Sequence, residues 1–110
     1  MRNDLLNENV HRTIELWETI TKKTGKSSMR LVLDFFFSGA SLQSVNKLAD
    51  VLGPQNELIE VFQEKDIWAI QGKTNALDVN KESIVDWTRK MVLLGIEYGA
   101  IFDGWGAELP

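Results

Sequence analysis

Met29-Arg30-Leu31-Val32-Leu33-Asp34-Phe35-Phe36-Phe37-Ser38-Gly39-Ala40-Ser41-Leu42 is the stretch that decides the fold. Met29, Leu31, Leu33, Phe35 and Phe37 alternate with Arg30, Val32, Asp34 and Phe36, which is the period of two of a β-strand over residues 29–37. The first set is uniformly apolar and should face a core. The second is mixed, so its face should be only partly covered. Ser38-Gly39-Ala40 turns the chain, and Ser41 suits a helix N-cap. Leu42, Val45, Leu48, Ala49 and Leu52 follow at helical spacing, and Gly53-Pro54 should end that helix.

Downstream, residues 56–63 and 67–72 read as two strands joined by the charged turn Glu64-Lys65-Asp66, a hairpin pattern. Residues 73–78 read as a loop. Asn80 should cap a second long helix, with Glu82 in its first turn and Val79 and Ile84 at the spacing of a hydrophobic staple. Ile84, Trp87, Met91, Leu94 and Tyr98 share one face of it, and Gly99 stops it. Residues 100–109 form a last short strand, interrupted by Asp103-Gly104-Trp105-Gly106. The order β-α-β-β-α-β predicts the α+β class. More narrowly, it predicts a ferredoxin-like split-βαβ fold, a four-stranded antiparallel sheet with two helices on one face.

Upstream of this pattern the spacing predicts a helix over residues 4–23. Leu6, Val10, Ile14 (with Thr13), Trp17 and Ile20 lie along one face, and Gly25 is the C-terminal stop. This helix is additional to the βαββαβ pattern. Its apolar face should cover the open face of the sheet, where Val32 and Phe36 point, or form a dimer interface. The expected organisation is one domain over residues 1–110, an N-terminal helix within 4–24 followed by a core over 29–109.

Composition bounds the function. The chain has 110 residues, 44% hydrophobic and 25% charged, the balance of a globular protein. It has no cysteine, which excludes disulfide scaffolds, cysteine-held zinc or iron–sulfur centres and thiol catalysis. A formal charge of −4 does not suit bulk-charge binding of a phosphate backbone, so no direct nucleic-acid partner is expected. No apolar run reaches the ~18 residues of a membrane span. Asn3, Asp4, Asn7, Glu8 and Asn9 stand where a signal peptide would be apolar, so the expected location is cytoplasmic.

Candidate chemistry is sparse. The one histidine, His11, sits on the first helix among Glu8, Arg12 and Glu15, and Glu15 alone is too little to make it a ligand or a base. If the first and last strands are neighbours, Asp34 and Asp103 share the sheet face away from the two helices. Paired like charges there would raise a pKa, and the plain alternative is two solvated carboxylates. No catalytic set, metal site or cofactor is expected. Trp17 and Trp87 fall on apolar helix faces, and Trp68 can take either face of its strand. Trp105 stands between two glycines that free the backbone. Its indole either tucks over the sheet edge at a bulge or serves a partner as an aromatic anchor.

The run Tyr98-Gly99-Ala100-Ile101-Phe102-Asp103-Gly104-Trp105-Gly106 resembles the aromatic-Asp-Gly-Trp-Gly ending of the RraB family, regulators of ribonuclease activity that inhibit ribonuclease E. Leu33-Asp34-Phe35-Phe36-Phe37-Ser38 is similar to the end of that family's first strand, and Ile67-Trp68-Ala69-Ile70 to its central strand. The resemblance covers about residues 29–109, and its one specific motif is Asp-Gly-Trp-Gly. It implies a non-enzymatic regulator, monomer or homodimer, that acts by protein contact with ribonuclease E. The contact residues it suggests are Asp103, Gly104, Trp105, Gly106, Trp68 and Phe36. The competing reading is a small-molecule-sensing domain on the same fold. A closed pocket of ~300 Å³ or more favours a ligand, and a flat aromatic patch favours a protein.

Overall fold

A computed structural model describes residues 2–109. The elements in chain order are α1 (Arg2–Thr24), β1 (Ser28–Leu31), β2 (Leu33–Gly39), α2 (Leu42–Leu52), a 3₁₀ turn (Gly53–Gln55), β3 (Asn56–Glu64), β4 (Ile67–Thr74), β5 (Leu77–Asn80), α3 (Lys81–Glu97) and β6 (Ile101–Ala107). The fold is α+β, with three helices and antiparallel strands in two sheets. The larger sheet has the order β3-β4-β2-β6, with every neighbouring pair antiparallel. The smaller is a ribbon of β1 and β5.

The ribbon corrects two expectations: residues 29–37 are not one strand, and residues 73–78 are not all loop. The strand breaks at Val32 because the β2–β4 ladder ends at the pair Asp34–Lys73. The next amide, that of Leu33, donates instead to the Thr74 hydroxyl at 2.9 Å. Satisfied by a side chain, the backbone is free to turn away. Leu77–Asn80 then pairs with Ser28–Leu31, so the N-terminal part of the expected strand serves the second sheet.

Leu33, Phe35 and Phe37 of β2 are fully buried on the helix side, as the alternation requires, Phe35 and Phe37 in the cluster with α2 and α3 and Leu33 in the cluster with α1. Phe35, Phe37, Phe102 and Trp87 close a cycle of edge-to-face contacts with ring centres 5.2–6.1 Å apart. Each such pair adds about 0.5–1.5 kcal/mol to the burial itself. The cycle ties β2, β6 and α3 together. Gly72 makes it possible: a Cβ there would lie 2.2 Å from Phe35 Cζ, so only glycine lets the ring lie flat on β4.

The caps follow the sequence closely. Ser41 accepts the Ser44 amide, and Asn80 caps α3 in a reciprocal pair with Ser83. Val79 and Ile84 are both buried, as a staple requires. Gly99, at φ +76°, ends α3, with Gly99 N donating to Ile96 O and Ala100 N to Gly95 O, a Schellman motif. Gly53 departs from expectation. It stays right-handed at φ −52° and runs into the 3₁₀ turn, where Pro54 occupies an early position.

Helix α1 does not lie over the open sheet face. It packs against α3, and its C-terminal half meets the β1–β5 ribbon through a cluster of Trp17, Ile20, Leu31, Leu33, Val79 and Ile84. Its buried stripe is also rotated from the expected one. Asn9, Thr13, Trp17 and Ile20 are buried, while Val10 and Ile14 are half-buried. Polar side chains occupy this face because each is bonded: Asn9 Nδ2 donates to Leu5 O at 2.9 Å, and Thr13 joins the network described below.

Candidate functional site

The Asp-Gly-Trp-Gly segment lies on β6, an edge strand paired with β2. The register sets Trp105 opposite Phe35 and Phe102 opposite Phe37, with a shift between Phe36 and Phe37. Asp103 is the extra residue of that bulge, and Gly104 takes φ +120°, a backbone state open to glycine and costly to other residues. The unusual geometry expected at this motif is therefore present, and it sits at Gly104.

Alternation past the bulge sends Trp105 towards the helices and both glycines to the open face. The indole is half-buried between the two core clusters. Trp105 Nε1 donates to Thr13 Oγ1 at 2.9 Å. Thr13 Oγ1 and Thr88 Oγ1 are 2.8 Å apart, and Thr88 Oγ1 donates to Ile84 O at 2.8 Å. An indole N–H only donates, and each hydroxyl has one proton. Thr88 has spent its proton on Ile84, so Thr13 must donate to Thr88. The chain therefore runs one way, Trp105→Thr13→Thr88→Ile84, and bolts β6 to α1 and α1 to α3. Sequence reasoning treated Thr13 as a companion of Ile14 and passed over Thr88. A threonine on an otherwise apolar helix face is the signal that marks such a residue.

On the open face the register builds rows across the sheet. Leu58, Lys73, Asp34 and Gly106 form one, Glu60, Gln71, Phe36 and Gly104 the next, and Phe62, Ala69, Ser38 and Ile101 a third, with Ile67 opposite Glu64 beyond. Phe36, Leu58, Phe62, Ile67 and Ile101 are each 37–52% exposed, so five large apolar side chains of this face reach solvent, while Ala69 between them is buried. The bare backbone of Gly104 and Gly106 beside Phe36 and Asp34 leaves a trough along the β6 edge. Phe36, Asp103, Gly104 and Trp105 meet Asn9, Arg12 and Leu16 of α1 in a groove of about 410 Å³ there.

Of the six contact candidates, four thus converge on one groove. Gly106 is on the same strand, two residues further. Trp68 is elsewhere: it lies opposite Gly39, half-buried on the helix side against the core. Leu58, Phe62, Ile67 and Ile101 were missed, although residues 58–62 carry apolar side chains at both parities, which signals a strand with two apolar faces.

Asp34 and Asp103 do not form a carboxylate pair. Asp34 Oδ1 is held by Lys73 Nζ at 2.6 Å across the β2–β4 ladder, while Asp103 stands exposed at the bulge. The hydrogen bond and charge of Asp34 keep the Lys73 ammonium above its ordinary value. Glu60, Glu64 and Asp103 have no ion-pair partner among the described residues, so the face mixes exposed apolar side chains with the Lys73–Asp34 pair, Gln71, Ser38 and unneutralised acids. His11 is exposed, and its one ion-pair contact among the described residues is Glu15, at 2.7 Å. Among the described residues no three metal-ligating side chains cluster, and no helix is long and apolar enough to cross a membrane.

An antiparallel sheet with helices on one face and exposed aromatic and aliphatic side chains on the other belongs to the small α+β proteins, with a surface suited to contact. A family model described as "RraB: Regulator of ribonuclease activity B" matches residues 11–107. The chain belongs to the RraB family. The match begins inside α1, so the helix that the β-α-β-β-α-β pattern left over is largely part of the family's own sequence. No curated protein matches the chain.

Proposed function

We propose that the protein is a regulator that acts by binding a ribonuclease, without catalysis of its own, and that ribonuclease E is the target. The family description supports regulation of ribonuclease activity. The observation that carries the contact reading is the open face, where five partly exposed apolar side chains lie among Glu60, Glu64 and Asp103. Such a face favours a partner surface that combines apolar and basic groups. The contact takes in Phe36, Asp103 and Gly104, with Trp105 shaping the strand beneath and Gly106 lengthening the trough. Trp68 supports the sheet from the other side. The strand order β3-β4-β2-β6 supports a ferredoxin-like core, to which the β1–β5 ribbon and α1 are additions. A single domain acting in the cytoplasm, as monomer or homodimer, completes the proposal.

The test is a cleavage assay with purified ribonuclease E beside a direct binding measurement. Binding and slowed cleavage at about 10 µM protein, a modest affinity for a contact of this size, are expected. Neither effect at that concentration would remove ribonuclease E as the target.

A further inference from the structure

The helix layer has an opening of its own. Helices α2 and α3 both rest on the sheet and share one core cluster, with Val45, Leu48 and Leu52 from α2 and Met91 and Val92 from α3. Between the end of α2, the middle of α3 and the start of β5 lies an open groove of about 720 Å³. That volume is within the range of small-ligand sites, about 300–1,000 Å³. Its floor is apolar, with Leu52 and Met91 buried and Leu94 and Leu77 half-buried beside them. Trp87 forms one wall, held from behind by Phe35 and Phe102. The groove exists because α2 stops at Leu52 and the chain leaves through the 3₁₀ turn, so no side chain from α2 fills the space beside the later turns of α3.

Polar groups lie at its edge. Lys90 lines the groove and has no carboxylate within ion-pair distance among the described residues, whereas its neighbour Arg89 is paired with Asp86. Glu97 lines it seven residues further along α3, about 10 Å away by helical rise. That is beyond the Debye length of about 8 Å at physiological salt, so Glu97 barely screens Lys90 and gives one end of the groove the opposite sign. Asn56 uses its Nδ2 on Leu52 O at 2.7 Å and keeps its side-chain oxygen as an acceptor.

We propose that this groove binds a small amphipathic carboxylate, its apolar chain against Leu52, Met91 and Leu94 and its carboxylate at Lys90. An apolar floor selects a hydrocarbon chain, and one free cation near its wall selects a single negative head. A compact zwitterion such as an amino acid fits less well, because its two charges are too close to meet Lys90 and Glu97 together. The site is on the helix side, away from the open sheet face, and does not depend on the ribonuclease reading.

The experiment is a titration of the whole protein with decanoate, followed by methyl NMR shifts. Saturable shifts at Leu52, Leu77, Met91 and Leu94, with those of Phe36-facing residues unchanged, are expected below about 1 mM. Decanol should bind about two- to fivefold more weakly, the effect of one solvent-exposed charge pair, and Lys90→Gln should erase that preference. Lys90 is exposed, so this variant keeps the fold. Absence of saturable shifts, equal binding of decanol by the wild type, or an unchanged preference in Lys90→Gln would each overturn the proposal. So would shifts of these methyls with added ribonuclease E but not with decanoate, which would make the groove part of the protein contact.

Discussion

Replacing Thr13 by valine keeps the shape of the side chain and removes the one group that both receives Trp105 and supplies Thr88. Trp105 Nε1 loses its acceptor, and Thr88 Oγ1 loses its donor while keeping Ile84 O. An orphaned buried donor costs about 1–3 kcal/mol. Trp105 is only half-buried and water reaches part of its surroundings, so about 1–2 kcal/mol is the expected loss for Thr13→Val. For a chain of this length that is a fall in Tm of about 4–8 °C. Thr88→Val should cost about 1 kcal/mol alone, and the double variant should fall short of the sum by about 0.5–1 kcal/mol because the two share a bond. Urea melts followed by far-UV circular dichroism measure all three. A loss under about 0.5 kcal/mol for Thr13→Val, or strict additivity with Thr88→Val, would show that the chain of bonds from β6 to α3 does not hold the helix.

Trp17 is 2% exposed, so Trp17→Ala should cost about 3–5 kcal/mol in the same melts; a loss below about 1 kcal/mol would mean that α1 is merely appended. Gly104→Ala meets no neighbour but must hold φ +120°, and should cost about 1–3 kcal/mol, whereas Gly106→Ala has open space and no positive φ and should be close to neutral. The Lys73 ammonium has its pKa raised by the Asp34 hydrogen bond and charge, so its contribution is complete below its ordinary value of 10.5 and is lost as pH rises through the higher folded value. The Tm gap between wild type and Asp34→Asn should therefore be at its full size at about pH 9 and narrow as the pH rises past 10.5. Because Trp105 braces the fold beneath the proposed contact, Trp105→Ala should lower stability and ribonuclease binding together; loss of binding at full stability would instead make the indole a direct anchor.

The alternation of Leu33, Phe35 and Phe37, the caps at Ser41 and Asn80 and the stop at Gly99 are local signals, and they placed the helices and the main strands. The break at Val32 was not legible. It depends on Thr74, a residue 41 positions from Leu33, taking over a backbone amide. The orientation of α1 was hidden for a related reason: hydrophobic periodicity ranks Val10 and Ile14 above Asn9 and Thr13, and only a partner at Thr88 and Trp105 reverses that order. The Gly-Trp-Gly run announced an irregular backbone. Which way its indole turned required the register with β2. The carboxylate pair Asp34–Asp103 failed because the register sets Asp34 opposite Gly106, three residues past the bulge at Asp103, and Lys73 on the other neighbouring strand holds Asp34 instead.

The central claim is that the open sheet face carries the partner contact. The direct test compares ribonuclease E binding by wild type with that of Phe36→Ser, Phe62→Ser and the double variant. These side chains are 37% and 38% exposed and the rest of each ring is covered, so each replacement should cost about 1–2 kcal/mol, a fall in Tm of about 4–8 °C that leaves the protein folded at the assay temperature. A loss of affinity of about tenfold is expected for each and more for both, as for apolar residues that carry an interface. Wild-type affinity in the double variant, with the fold intact, would contradict it.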